Sequence, residues 1–143
     1  MTPFTLELTA EPDATDLAAI GQGLTDFNTA DVGPADRIPL AVLVRNAVGT
    51  LSGGLSGYTG WGWLYVQWLW LDDSLRGLGL AAQMLDLAET EAHKRGCHGA
   101  YIDTFNPIAL KVYQKQGYSP FGALPDFPKG RTRTFLQKPL GAQ

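Results

Sequence analysis

The segment Asp72-Asp73-Ser74-Leu75-Arg76-Gly77-Leu78-Gly79-Leu80-Ala81-Ala82 carries the residue types and spacing that suit anion binding. It follows the apolar run Trp63–Leu71 and opens a stripe of Leu78, Ala81, Ala82, Leu85, Ala88 and Ala92 at helical spacing. Glycine lets backbone come close to a ligand. The first turn of a helix offers N–H groups without intrahelical partners at the positive end of the macrodipole. Together these favour a phosphate or pyrophosphate group, at roughly 1.5–3 kcal/mol for each charge-assisted hydrogen bond. Such a site needs no basic protein, and this chain is acidic, with 11 Lys and Arg against 14 Asp and Glu.

Two phosphate-binding patterns compete for this loop. Gly77-x-Gly79-x-x-Ala82 fits a dinucleotide fingerprint, with Asp103 ending the next strand where a ribose-binding acid would stand. Three features weigh against it. Asp72 to Arg76 separate the strand from the first glycine, the upstream strands do not form βαβ units, and too little chain follows Asp103 for a doubly wound sheet. No Gly-Lys-Ser/Thr follows, which removes the P-loop.

The surrounding pattern predicts the elements that hold the loop. Phe4–Leu8 alternates apolar and polar residues, as a half-buried strand does, and a helix follows from about Pro12 to Leu24. Residues 26–38 read as loop. Strands are expected at 40–45, 50–58 and 63–71, joined by short turns and therefore antiparallel. The third is apolar on both faces apart from Gln67, as a covered central strand is. A helix over 77–95, a strand at 100–104, a helix over 108–116 and closing strands at 118–123 and 132–136 complete the chain. The order β-α-βββ-α-β-α-ββ is a mixed α/β (α+β) fold: a mostly antiparallel sheet flanked by helices, in one domain over 1–143.

Composition bounds the function further. With 45% hydrophobic and 17% charged residues the chain is expected to fold, and 17 glycines in 143 exceed the usual ~7%. Net charge −3 gives no sequence-independent attraction to nucleic acid. The lone cysteine, Cys97, allows neither a disulfide framework nor a cysteine-only metal site, and His93 and His98 flank a helix end. No basic leader precedes an apolar stretch and no run reaches the ~20 residues that span a bilayer, so a cytoplasmic protein without membrane contact is expected. A homodimer is permitted and not required.

With these residues in view, a family resemblance becomes specific. Arg76-x-x-Gly79-x-Ala81 resembles the acyl-CoA pyrophosphate loop of the GNAT superfamily of N-acetyltransferases, Gln/Arg-x-x-Gly-x-Gly/Ala. The segment Asn106-Pro107-Ile108-Ala109-Leu110-Lys111-Val112-Tyr113-Gln114-Lys115-Gln116-Gly117-Tyr118 is similar to the second signature, an Asn, a helix carrying Tyr, then Gly-Phe/Tyr. The order and separation of the two also match.

The resemblance implies acetyl-CoA as co-substrate, no metal, and a primary amine of a small molecule or peptide as acceptor. It assigns the pyrophosphate to the amides of Arg76, Gly77, Leu78, Gly79, Leu80 and Ala81, and the pantetheine and acetyl carbonyl to the backbone of Leu71. Arg76 either adds a phosphate contact or is a solvated loop residue. Asn106 caps the second helix, touches the pantetheine, or both. Tyr113 matches the general acid that assists the departing thiolate; packing is its competing role.

The base stays open. Relatives carry Glu in the register that Gln67 occupies, and Gln takes no proton at neutral pH. Asp103, Asp72, Asp73, a water chain, or an amine that arrives unprotonated can serve instead, with Asp103 preferred. Gln67 and Trp70 are candidate acceptor contacts, beside Tyr58, Trp61, Trp63 and Trp68. A non-catalytic acyl-CoA-binding module and, behind it, a dinucleotide-binding protein are the alternatives.

Overall fold

A computed structural model describes residues 3–141, which fall into two units, 1–35 and 36–143. The signal-peptide reading at Met1 and Thr2 lies outside the described residues, as do residues 142 and 143 of the expected domain. In the first unit, helix α1 spans Ala14–Val32 behind Asp13, which has extended backbone. It runs one helical stretch past the expected end near Leu24. No Gly or Pro interrupts residues 24–32, and the polar side chains there bond within the helix: Thr25 Oγ1 donates to the Gly21 carbonyl at 2.9 Å, and Gln22 reaches Asp26 at 2.8 Å. Gly33, at φ 92°, stops it. Phe4–Leu8 joins no ladder; alternation supplies faces, not a partner strand.

The second unit is built on one sheet: β1 (Ile38–Arg45), β2 (Leu51–Gly60), β3 (Trp63–Leu71), β4 (Gly99–Thr104), β5 (Ser119–Pro125) and β6 (Thr132–Pro139), in the order β1-β2-β3-β4-β6-β5. All neighbours are antiparallel except β3 and β4, which α2 (Leu80–Lys94) connects as a crossover. Helix α3 (Pro107–Lys115) follows β4. The mixed α/β architecture and its element order from α1 onward are those read from the sequence.

Leu40, Leu55, Leu64, Val66, Ala100, Ile102 and Leu136 of the sheet bury against Met84, Leu85, Ala88 and Ala92 of α2 and Tyr113 of α3. Burying each large aliphatic side chain contributes about 1.5–3 kcal/mol, which fixes both helices on that face. Helix α2 starts three residues later than expected, because Gly77 and Gly79 take left-handed φ of 78° and 74°. Leu78 therefore leaves the apolar stripe and stands 61% exposed. The second half of β3 also departs from expectation: Trp68 and Trp70 are exposed rather than covered.

Candidate functional site

The site begins with an irregularity in β3. Gly57 of β2 pairs with Val66 and Ser56 pairs with Trp68, so Gln67 is an extra residue opposite no partner. This is a β-bulge, which bends its strand and resets which face each later side chain occupies. Leu64 and Val66 lie in the core before it, and Leu69 and Leu71 pack against the core after it. Trp68 and Trp70 consequently share the outer face with Tyr65.

The parallel ladder between β3 and β4 runs from Trp63–Gly99 to Val66–Ile102 and stops at the bulge. Beyond it, Gln67–Leu71 on one side and Asp103–Thr104 on the other diverge. A cleft of about 1100 Å³ fills the gap, lined by both strand ends, by the glycine loop and by α3.

The loop lies at one side of this cleft. Asp72 accepts from the Ser74 amide at 3.2 Å and from its hydroxyl at 2.5 Å, closing the short turn Asp73–Leu75. Those bonds hold the Asp72 carboxyl below its ordinary range. Asp73 pairs with Arg76 at 3.3 Å. Neither acid lines the cleft, whereas Arg76, Gly77, Gly79, Leu80 and Ala81 do. Gly79 is the N-cap of α2 and has no side chain to cap it. The amides of the first turn thus face the cleft without a protein carboxylate or hydroxyl to satisfy them. That donor set fits a pyrophosphate.

Helix α3 supplies the opposite wall. Asn106 Oδ1 accepts from the amides of Ile108 at 2.9 Å and Ala109 at 3.1 Å, so it does cap the helix, and the residue also lines the cleft. Tyr113 is 5% exposed yet borders the cleft. Burial, with the charge of Asp103 adding to it, pushes its phenol up to about 12. The hydroxyl is therefore a persistent donor at neutral pH.

Asp103 reaches the cleft from the outer face. Its Oδ1 accepts from Arg133 Nε at 2.8 Å and Nη2 at 2.7 Å, and Tyr65 O–H donates to Oδ2 at 3.4 Å. Burial, then the Asp103 charge, raises the Tyr65 phenol. Arg133 itself packs over the rings of Phe127 at 4.7 Å and Phe135 at 5.4 Å. Gln67, Trp70 and Leu71 border the same cleft. Of the aromatic candidates, Tyr58 and Trp63 instead build a ring cluster with Tyr65 and Tyr101, whose rings stack on each other at 4.6 Å.

Arg133, Tyr65 and Gly57 were not singled out by motif. Arg133 sits in a closing strand with no signature around it, and its role exists only because β6 pairs with β4, placing Phe135 opposite Asp103. For Gly57 a signal existed: Gly53, Gly54 and Gly57 crowd one strand, where glycine marks a bulge or close approach.

With that geometry in hand, similarity to known proteins is decisive. The profile of the Acetyltransferase (GNAT) family matches residues 13–118. The chain belongs to the GNAT family. An acetyltransferase from Agrobacterium fabrum is 44% identical over 126 residues, covering 88% of this chain and 92% of that protein. The blasticidin-S acetyltransferase of Streptomyces morookaense is 40% identical over 106 residues, covering 71% and 78%.

Among solved structures, an acetyltransferase from Bacillus cereus superposes with TM-score 0.83 at 26% identity, covering 94% of this chain and 98% of its own. The GNAT fold is shared more distantly by a Bacillus anthracis protein solved with acetyl coenzyme A, at TM-score 0.64 and 16% identity over 72% of this chain and 63% of that one. This GNAT protein is thus an acetyl-CoA-dependent acetyltransferase, not a dinucleotide-binding protein. Among the described residues no helix is long and apolar enough to cross a membrane.

Proposed function

We propose that the enzyme moves the acetyl group of acetyl-CoA to a primary amine of a small molecule in one direct step. One observation carries this reading: where β3 and β4 diverge, Gly77, Gly79, Leu80 and Ala81 at the uncapped start of α2 and Tyr113 of α3 line a single cleft, while the Arg76 amide is spent on the Asp73 carbonyl at 3.3 Å. The relative that acetylates blasticidin-S favours a small acceptor over a peptide.

In the proposed reaction the pyrophosphate sits on the amides at the start of α2 and the pantetheine follows the free edge of Gln67–Leu71. Asn106 keeps its Nδ2 group for that arm, since only Oδ1 is used in capping. The amine nitrogen attacks the thioester carbon, the C–S bond breaks, and sulfur leaves as thiolate. A model thiol has pKa near 8.5, well below a phenol. With its phenol at about 12, Tyr113 assists by donating a hydrogen bond to sulfur more than by surrendering its proton outright.

The amine must first lose a proton. For a lysine-type amine near 10.4 this costs roughly 4.6 kcal/mol at pH 7, and for an α-amine near 7.7–8 about 1–1.4 kcal/mol. Asp103, the one acid among the described lining residues, receives the amine and is the base of this reading, while Gln67 and Trp70 contact the acceptor. We place the reaction in the cytoplasm. Calorimetry with acetyl-CoA, followed by thiol release across an amine panel, tests the proposal. Micromolar binding and acetylated amine are expected; absence of binding at millimolar acetyl-CoA sinks it.

A further inference from the structure

The acceptor side of the cleft holds an ion pair that is only half used. Both Arg133 bonds, from Nε at 2.8 Å and Nη2 at 2.7 Å, fall on the same Asp103 oxygen, Oδ1. A guanidinium commonly meets a carboxylate with two parallel bonds, one to each oxygen. Here Oδ2 keeps only the long Tyr65 contact at 3.4 Å, and Arg133 Nη1 donates to nothing in the protein among the described residues. Both residues border the cleft. The Asp103 side chain is 12% exposed and the Arg133 side chain 29% exposed, so neither group is fully hydrated or fully spent.

The arrangement therefore presents one anionic acceptor atom and one cationic donor on residues that border the same cleft. Phe127 and Phe135 lie against the guanidinium at 4.7 Å and 5.4 Å. On the same sheet face, Trp68 and Trp70 stand 67% and 53% exposed beside the gap. Large aromatic surfaces left open around a polar centre are what a flat apolar ligand body covers.

We propose that the acceptor is an amino acid with an aromatic side chain, its ammonium held by Asp103 Oδ2 and its carboxylate by Arg133 Nη1. This rests on the acetyltransferase reading and names its substrate class. A simple cationic amine would put two positive charges on the one Asp103 carboxylate; a zwitterion brings its own carboxylate and leaves the group of charges balanced. Arg133 is then a positioning and specificity residue: it turns Asp103 so that Oδ2 faces the acceptor, and it selects for an anionic neighbour to the amine.

The test compares L-phenylalanine with phenethylamine, which keeps the amine and ring and lacks the carboxylate. With the wild-type enzyme and saturating acetyl-CoA, kcat/KM for phenylalanine is expected to exceed that for phenethylamine at least tenfold. Arg133→Gln should collapse that ratio to within about threefold of unity, through KM for phenylalanine, while Arg133→Lys restores part of it. Asp103→Asn should weaken both substrates. The double variant Asp103→Asn, Arg133→Gln keeps a neutral hydrogen-bonded pair and serves as the folding control, by melting temperature.

Binding of phenylalanine to the CoA-saturated protein by calorimetry reads the same preference without turnover. Equal use of the two substrates, a ratio unmoved by Arg133→Gln, or no phenylalanine binding overturns the inference. Since acetyl-CoA binding and thiol release with phenethylamine are recorded in the same series, failure of the acetyltransferase reading shows itself separately.

Discussion

A methyl group on Gly57 would lie inside the van der Waals envelope of the Tyr65 carbonyl oxygen and press on the backbone of Gln67. Gly57 is thus what allows β2 to lie against the bulge, and the bulge is what opens β3 from β4. Gly57→Ala is expected to destabilise the protein by about 1–3 kcal/mol, in the range of overpacked cores. It should also weaken acetyl-CoA binding about tenfold, because the free edge of Gln67–Leu71 moves. Scanning calorimetry and titration with acetyl-CoA check the two effects; unchanged affinity with lowered stability would separate the bulge from the site.

Tyr113 is buried and borders the cleft. Tyr113→Phe keeps the ring and its core packing, so melting temperature at pH 7 should change little. Turnover is expected to fall several-fold to a hundredfold with acetyl-CoA affinity retained, as measured by steady-state thiol release and calorimetry. Unchanged turnover would remove this residue from the chemistry.

The same phenol affects stability at high pH. Its folded value, about 12, lies above the ordinary 10, so the folded state favours the neutral form. The stabilisation is fully present below pH 10 and is lost as pH rises through 12. Wild type should lose on the order of 2 kcal/mol more than Tyr113→Phe across that window. Denaturant melts at pH 9, 10.5 and 12 would show the difference. Tyr118, raised by burial and by Glu89, contributes in the same direction in both proteins.

Positive φ at Gly79 is a backbone requirement rather than a packing one, since a Cβ there meets nothing within 4 Å. Gly79→Ala should therefore cost about 1–2 kcal/mol through backbone strain. Its larger consequence is expected in acetyl-CoA affinity, tenfold or more, as the loop relaxes away from its donor geometry. Arg76→Ala, at a side chain 66% exposed and paired with Asp73, should change affinity threefold or less. Titrations at low and physiological salt compare the two.

Glu89 is a buried carboxylate that accepts from Lys138 Nζ at 2.5 Å and Tyr118 O–H at 2.8 Å, tying α2 to β6. Lys138→Met leaves that charge unpaired and should cost about 3–5 kcal/mol. Adding Glu89→Gln is expected to recover much of the loss. Melting temperatures of the single and double variants, with activity unchanged in the folded fraction of the double, test the role as structural.

Local chemistry made much of this protein legible before any fold was seen. Asn106 followed by Pro107 announces a capped helix, and Asn106 Oδ1 does bond two amides there. The glycine loop between an apolar strand and an apolar helical stripe locates the amides proposed to hold the cofactor. Helix α1 continues through residues 26–32, which read as loop, and within it the Thr25 hydroxyl bonds its own preceding turn. Phe4–Leu8 shows the converse limit: period-2 alternation says which residues share a face, and no partner strand follows from it.

What the residues alone determined was the order of elements from α1 onward, the glycine loop at the start of α2, the tyrosine helix and the family they jointly mark, because each depends on contacts within a few positions along the chain. Three matters were decided only in three dimensions. The bulge at Gln67 turned two tryptophans outward, since side-chain facing after it depends on how many residues β2 places opposite. Pairing of β6 with β4 brought Arg133, thirty positions downstream, onto Asp103. Burial among both helices and the sheet set the proton affinity of Tyr113. Each is a property of distance through space, and sequence separation carries no information about it.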